Sequence, residues 1–175
     1  MHIRVFIEDQ SGKIAVEHVL PKLLSEDHTY DVLAWRGIGR LPRNLLAQPD
    51  PRKRTILDKL PALLRASGKQ FEGYDGAVIV VVDLDTRDRA NFIAELDAVL
   101  ETCDPRPNAL FRLAIEEGEA WLLGDREAIC IAYPSAKTEP LDAYVQDSIC
   151  GTWEVLAEAV HPGGAAALAK SAGGL

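Results

Sequence analysis

The chain has 175 residues, 47% of them apolar, with 19 basic and 27 acidic side chains and a formal net charge of −8. That length and composition predict one layered domain with a sizeable core, and the acidic balance excludes a protein that coats nucleic acid without selection. The apolar stretch Ala77 to Val82 is far short of the ~20 residues a membrane span needs, so no membrane-spanning segment is expected.

Residues 2–8 (HIRVFIE) predict a first strand. They run straight into charge at Glu8 and Asp9, unlike a secretory signal, and a cytoplasmic location is expected. After the break at Ser11-Gly12, apolar residues recur at helical spacing from Ile14 to Leu24. A second strand is predicted at Tyr30 to Trp35, then a loop marked by Gly37, Gly39, Pro42, Pro49 and Pro51, and a helix over Arg54 to Ser67. Gly76 to Asp83 is a continuous β-branched run, the pattern of a central parallel strand buried on both faces. A helix over Arg89 to Glu101, with Asp88 as its N-cap, a fourth strand over Leu110 to Glu116 and a short helix over Glu119 to Leu123 follow. Ile129 to Tyr133 reads as a fifth strand, and residues 135–150 as loop or a helical turn at Leu141 to Val145. Thr152 to Val160 predicts a last helix with Trp153, Leu156 and Val160 inward. The Gly/Ala-rich tail, 161–175, is expected to be loosely ordered or docked on a partner. The alternation predicts an α/β fold: a Rossmann-like, mostly parallel central sheet of four to five strands with helices on both faces, forming one domain over residues 1–160.

In a parallel sheet all strands end at one edge, where ligand sites form. Glu8 ends the first strand, Asp83 and Asp85 the third, and Glu116, Glu117 and Glu119 follow the fourth. Alternate residues of an extended chain point the same way, so Asp83 and Asp85 would aim two carboxylates at one point. Hard oxygen ligands suit Mg2+ or Mn2+, which makes Glu8, Asp83, Asp85, Glu116 and Glu119 the candidate metal ligands. For any single one of them a solvated turn-forming role is the more ordinary reading, and it is the repetition at three strand ends that favours a metal site.

Charge is unevenly distributed. Residues 36–69 hold nine bases and two acids, an excess of seven positive charges, which leaves −15 on the remainder. A basic segment beside an acidic edge suits a polyanionic substrate, and a solvated loop and helix face fits the same charges. Arg52, Lys53 and Arg54 are the candidate substrate contacts, joined by Lys13, whose Ser11-Gly12-Lys13 stretch offers amides at a helix start to a phosphate. Cys103, Cys130 and Cys150 show no zinc spacing and read as reduced, mostly buried thiols.

With Glu8 after the first strand and Asp83-Leu84-Asp85 after the third, the chain resembles the Toprim domain of topoisomerases, primases, overcoming-lysogenization-defect nucleases and small ribosomal-RNA maturases. The strand-helix-strand-helix-strand order matches too. The stretches Ile7 to Lys13, Ile115 to Asp125 and Asp147 to Glu154 are similar to a largely uncharacterised prokaryotic domain-of-unknown-function family grouped with Toprim-like proteins. The resemblance implies a Toprim-like domain in which Asp83 and Asp85 bind magnesium and Glu8 is general acid or base in phosphoryl transfer on nucleic acid. Where Toprim domains carry Gly after the first Glu, this chain has Asp9. A nuclease is the implied activity. The alternative is a non-catalytic module or accessory subunit of an ATPase-linked nucleic-acid system, such as a defence system, with self-association left open. Val81 to Thr86 also resembles the phosphoaspartyl signature of haloacid-dehalogenase phosphatases, which would make Asp83 a nucleophile, but that family places the motif on its first strand.

Overall fold

A computed structural model describes residues 1–172, and residues 173–175 of the expected tail lie outside it. Strands β1 (His2–Ile7), β2 (Thr29–Ala34), β3 (Gly76–Asp83) and β4 (Ala109–Ala114) form one all-parallel sheet in the order β2-β1-β3-β4. The register sets Ile7 opposite Ala34 on one side and Val81 on the other. Helices α1 (Gln10–Leu23), α2 (Ile56–Gln70) and α3 (Arg89–Glu101) connect the strands, and α4 (Glu119–Leu123), α5 (Arg126–Ala132), α6 (Thr138–Ala143), α7 (Thr152–Val160) and α8 (Gly164–Ala172) follow. Contacts divide the chain into two units. Met1–Val82 with Arg87–Leu113 make the first, and Asp83–Thr86 with the chain from Ala114 onward make the second.

In the first unit, strand alternation builds two apolar layers. Ile3, Val5 and Ile7 join Val32, Val81 and Leu20 of α1 in one cluster. Phe6, Val78, Val80 and Val82, on the opposite parity, are also buried, as are Leu57, Leu60 and Leu64 of α2 and Phe92, Leu96 and Val99 of α3. Burial on both parities explains the unbroken apolar run of β3, because a strand covered on two faces has no side left for polar residues. Arg4 forks onto Asp31 of β2 through Nε and Nη2, at 3.0 and 2.7 Å, and donates to Gln70 of α2 through Nη1. Burial raises the Asp31 carboxyl, but the Arg4 hydrogen bonds and charge outweigh it and hold the group below the ordinary range.

The second unit is helical. Leu123, Ile129, Leu141, Tyr144 and Ala159 form its core, with Val155, Leu156 and Val160 packed against it. Trp153 is only half-buried, and the fully covered positions of α7 are Thr152, Ala157 and Ala159.

Several expectations need correction. Ile129 to Ala132 is helix, not strand, and Tyr133 is its C-cap: Asp125 caps the start of α5 by accepting from the Ala128 amide at 2.9 Å, and only Ile129 of that helix is buried. A five-residue apolar run fits either structure, and here the cap and the helix-forming Arg126-Glu127-Ala128 decide. Helix α1 starts at Gln10, before its apolar periodicity, because Asp9 caps it. Helix α6 begins at Thr138 with Pro140 in the first turn, where a missing amide costs nothing. The tail forms α8 from Gly164, as alanine has the best helix propensity and α8 packs on α7. Of the cysteines only Cys103 is buried, while Cys150 is exposed.

Candidate functional site

The Asp83-Leu84-Asp85 turn belongs to the second unit. Leu84 anchors it at 4% exposure, and Asp83 and Asp85 are half-buried on either side. The Leu84 amide donates to the Ala114 carbonyl at 2.8 Å and the Asp85 amide to the Glu116 carbonyl at 3.0 Å, so the chain beyond β3 stays paired with the chain beyond β4. Asp85 (φ +50°) and Glu116 (φ +66°) both hold left-handed backbone. Asp accepts this more readily than most residues, and Glu does so less readily. The extended geometry assumed from alternation therefore stops at Asp85.

Glu116 also reaches across 35 residues of sequence. Its Oε1 accepts from the Gly151 amide at 2.9 Å, and its Oε2 from the amides of Cys150 (3.2 Å) and Thr152 (2.9 Å). Gly151, at φ +81°, is the N-cap residue of α7 and has no side chain to cap with, so the Glu116 carboxylate does that work from a distance. Burial pushes the Glu116 carboxyl up, but the three amides outweigh it and leave the group below its ordinary range. Glu117 accepts from the Thr152 hydroxyl and the Trp153 amide. Burial, with the charges of Glu119 and Glu116, raises its carboxyl. Glu119 opens α4, in the first turn.

Glu8 lies in the first unit, directly after β1, and its carbonyl accepts from the Gly37 amide at 3.1 Å. Asp9, which sequence reasoning treated only as one more acid, caps α1: its Oδ1 accepts from Gly12 at 2.7 Å, its Oδ2 from the Ser11 hydroxyl, and its carbonyl from the Lys13 amide. The amides of Gly12 and Lys13 are thereby satisfied inside the chain. The Lys13 ammonium lies 3.6 Å from Glu17. An Asp immediately before a polar turn and an apolar periodicity was the available signal.

The basic segment also belongs to the first unit. Arg52 pairs with Asp50, Lys53 pairs with Asp58, Lys59 donates to the Asp50 carbonyl and Arg65 to the Leu45 carbonyl. Backbone bonds from Arg36 to Arg54, Ile56 to Gly37 and Leu57 to Ile38 lay residues 36–38 along the start of α2.

Among the described residues, no group of three or more His, Cys, Asp or Glu side chains is arranged to hold a metal ion. The donor set of the Asp83-Leu84-Asp85 turn is a pair of carboxylates. A pair fits Mg2+ or Mn2+, which bind through one or two carboxylates and keep their remaining positions for water and substrate phosphates, and does not fit a closed protein cage. A cleft of about 490 Å3, lined by Tyr144, Val145, Ser148, Cys150, Val155 and Glu158, opens in the second unit and left no mark in the sequence pattern. No described helix is long and apolar enough to cross a membrane. Comparison with protein-family models, with curated proteins and with solved structures finds no match.

Proposed function

We propose that this protein is a divalent-cation-dependent phosphoryl-transfer protein, a Toprim-like nuclease acting on DNA or RNA. The observation that carries the reading is the aspartate turn after β3, where Asp85 takes left-handed backbone and bonds to a second left-handed residue, Glu116. Non-glycine residues held in that region cost of order 1–3 kcal/mol and cluster where a chain must present side chains in a fixed way. In this reading Asp83 and Asp85 hold Mg2+ or Mn2+, with Glu119 a further candidate ligand, and Glu116 holds the turn in place. The cation, when bound, neutralises charge developing on a phosphate and acidifies a bound water. Glu8 moves the proton as general acid or base, the role implied by the sequence resemblance. The basic segment 36–69 retains the polyanion.

The test has two arms. Calorimetry with manganese should show binding by the wild type and its loss in Asp83→Ala, and equal binding by both would sink the metal assignment. Incubation with single- and double-stranded DNA and RNA, with manganese or chelator, should show metal-dependent cleavage that falls on the order of 10²-fold in Glu8→Gln. Cleavage absent in every condition would favour a second reading, an accessory module for a protein partner such as an ATPase. That reading has an observation of its own: Ile131, Val145 and Ile149 of the second unit stand 72%, 68% and 62% exposed.

A further inference from the structure

Eight of the nine bases of residues 36–69 do two different jobs. Arg52, Lys53, Lys59 and Arg65 are spent inside the segment, two on carboxylates and two on carbonyls. Lys59 and Arg65, rooted on α2, pin the loop carbonyls of Asp50 and Leu45, and Lys53 holds the Asp58 side chain at the first turn of that helix. Asp58 also accepts from the Thr55 hydroxyl and from the Arg40 backbone amide. These bonds fix the connection over residues 35–55, which has no helix or strand of its own.

Another subset faces outward. Arg36, Arg40, Arg43 and Arg54 are all exposed, and among the described residues their guanidinium groups enter no hydrogen bond or ion pair. The backbone brings three of them to one place. The Arg36 amide donates to the Arg54 carbonyl at 3.1 Å, and the Arg40 amide reaches Asp58, four residues beyond Arg54. All four are arginines, whose planar fork matches phosphate oxygens two at a time. The rest of the chain carries −15, so a polyanion is repelled elsewhere and steered to this face.

We propose that Arg40, Arg43 and Arg54, with Arg36, form the phosphate-contacting face for a nucleic-acid strand, and that Arg52 and Lys53 support the loop instead of touching the ligand. The inference rests on the reading of the protein as one that handles nucleic acid, but concerns binding, which needs no cation. Ligand positions are thus reassigned from the Arg52-Lys53-Arg54 run to arginines that are distant in sequence and joined by the pairing of residues 36–38 with the start of α2.

The experiment measures anisotropy of labelled single- and double-stranded DNA and RNA against salt, in chelator, for the full chain. Arg40→Ser/Arg43→Ser/Arg54→Ser should weaken binding at least tenfold at low salt and lower the slope of log affinity against log salt by roughly one per arginine removed. Arg52→Ser should leave that slope unchanged. Circular dichroism on each variant checks the fold, and the three single variants replace the triple if it melts early. Equal loss in Arg52→Ser and the triple variant overturns the division of labour while leaving nucleic-acid binding intact. Competition by polyglutamate as strong as by oligonucleotide overturns the ligand class. Absence of wild-type binding to every oligonucleotide overturns both this inference and the reading beneath it.

Discussion

The Asp85 amide donates to the Glu116 carbonyl at 3.0 Å, and both residues hold positive φ. Glu116 thereby joins two segments: its backbone grips the aspartate turn and its carboxylate grips the start of α7. A hydrogen bond to a charged group contributes about 1.5–3 kcal/mol, enough for three amides to offset the cost of left-handed backbone at a glutamate. Glu116→Ala should therefore lower the unfolding free energy by roughly 2–4 kcal/mol on the same basis. Glu116→Gln, which keeps one acceptor oxygen and loses the charge, should fall between. Urea unfolding followed by circular dichroism checks this, and a change in the alanine variant below about 0.5 kcal/mol, the ordinary range for surface positions, would assign Glu116 no holding role.

The neighbouring carboxylates should respond to pH with opposite signs. Glu116 is lowered in the fold, so its contribution is present above the unfolded value, about 4.3, and is lost as pH falls through the folded one. Glu117 is raised, so its contribution is present below the unfolded value and is lost as pH rises through the folded one. Glu117→Gln should consequently raise the melting temperature at pH 7 and lose that advantage by about pH 4, near the unfolded carboxyl value. Glu116→Gln should lower it at pH 7 and converge with the wild type in acid. Melting curves from pH 3 to 8 give the comparison, and parallel pH profiles for the two variants would contradict it.

Gly39 is needed where it stands. Its φ is +70°, and a β-carbon there would overlap the side chain of Thr55, which stands at the N-cap position of α2 and donates its hydroxyl to Asp58. Gly39→Ala should cost roughly 1–3 kcal/mol through backbone strain. It should also disturb the pairing of residues 36–38 with the start of α2 and weaken oligonucleotide binding, with melting and anisotropy as the readouts. Gly37→Ala is the control: it shares positive φ but has nothing within 4 Å of the added carbon, so it carries strain without the clash. Equal loss of binding in both variants would remove the role of the Thr55 contact.

Sequence alone determined the parallel α/β framework. The run Gly76 to Asp83 has no polar side, which only a strand covered on both faces tolerates, and the apolar periods of α2 and α3 lie on either side of it. Asp88 as a cap was legible as well, since it accepts from the Asn91 amide three residues on, a purely local bond. Other features depended on partners distant in the chain. Ile129 to Ala132 became helix because Asp125 caps it, where the five apolar residues up to Tyr133 by themselves fit strand equally well. Glu116 and Asp83 look alike in sequence as acids at strand ends. Tertiary structure gave Glu116 to the amides of residues 150–152, whose left-handed Gly151 no periodicity predicts. Within the basic segment, composition fixed the charge, but folding decided which arginines face outward, because Asp50, Asp58 and two loop carbonyls claim their cations through bonds that span two to twenty residues.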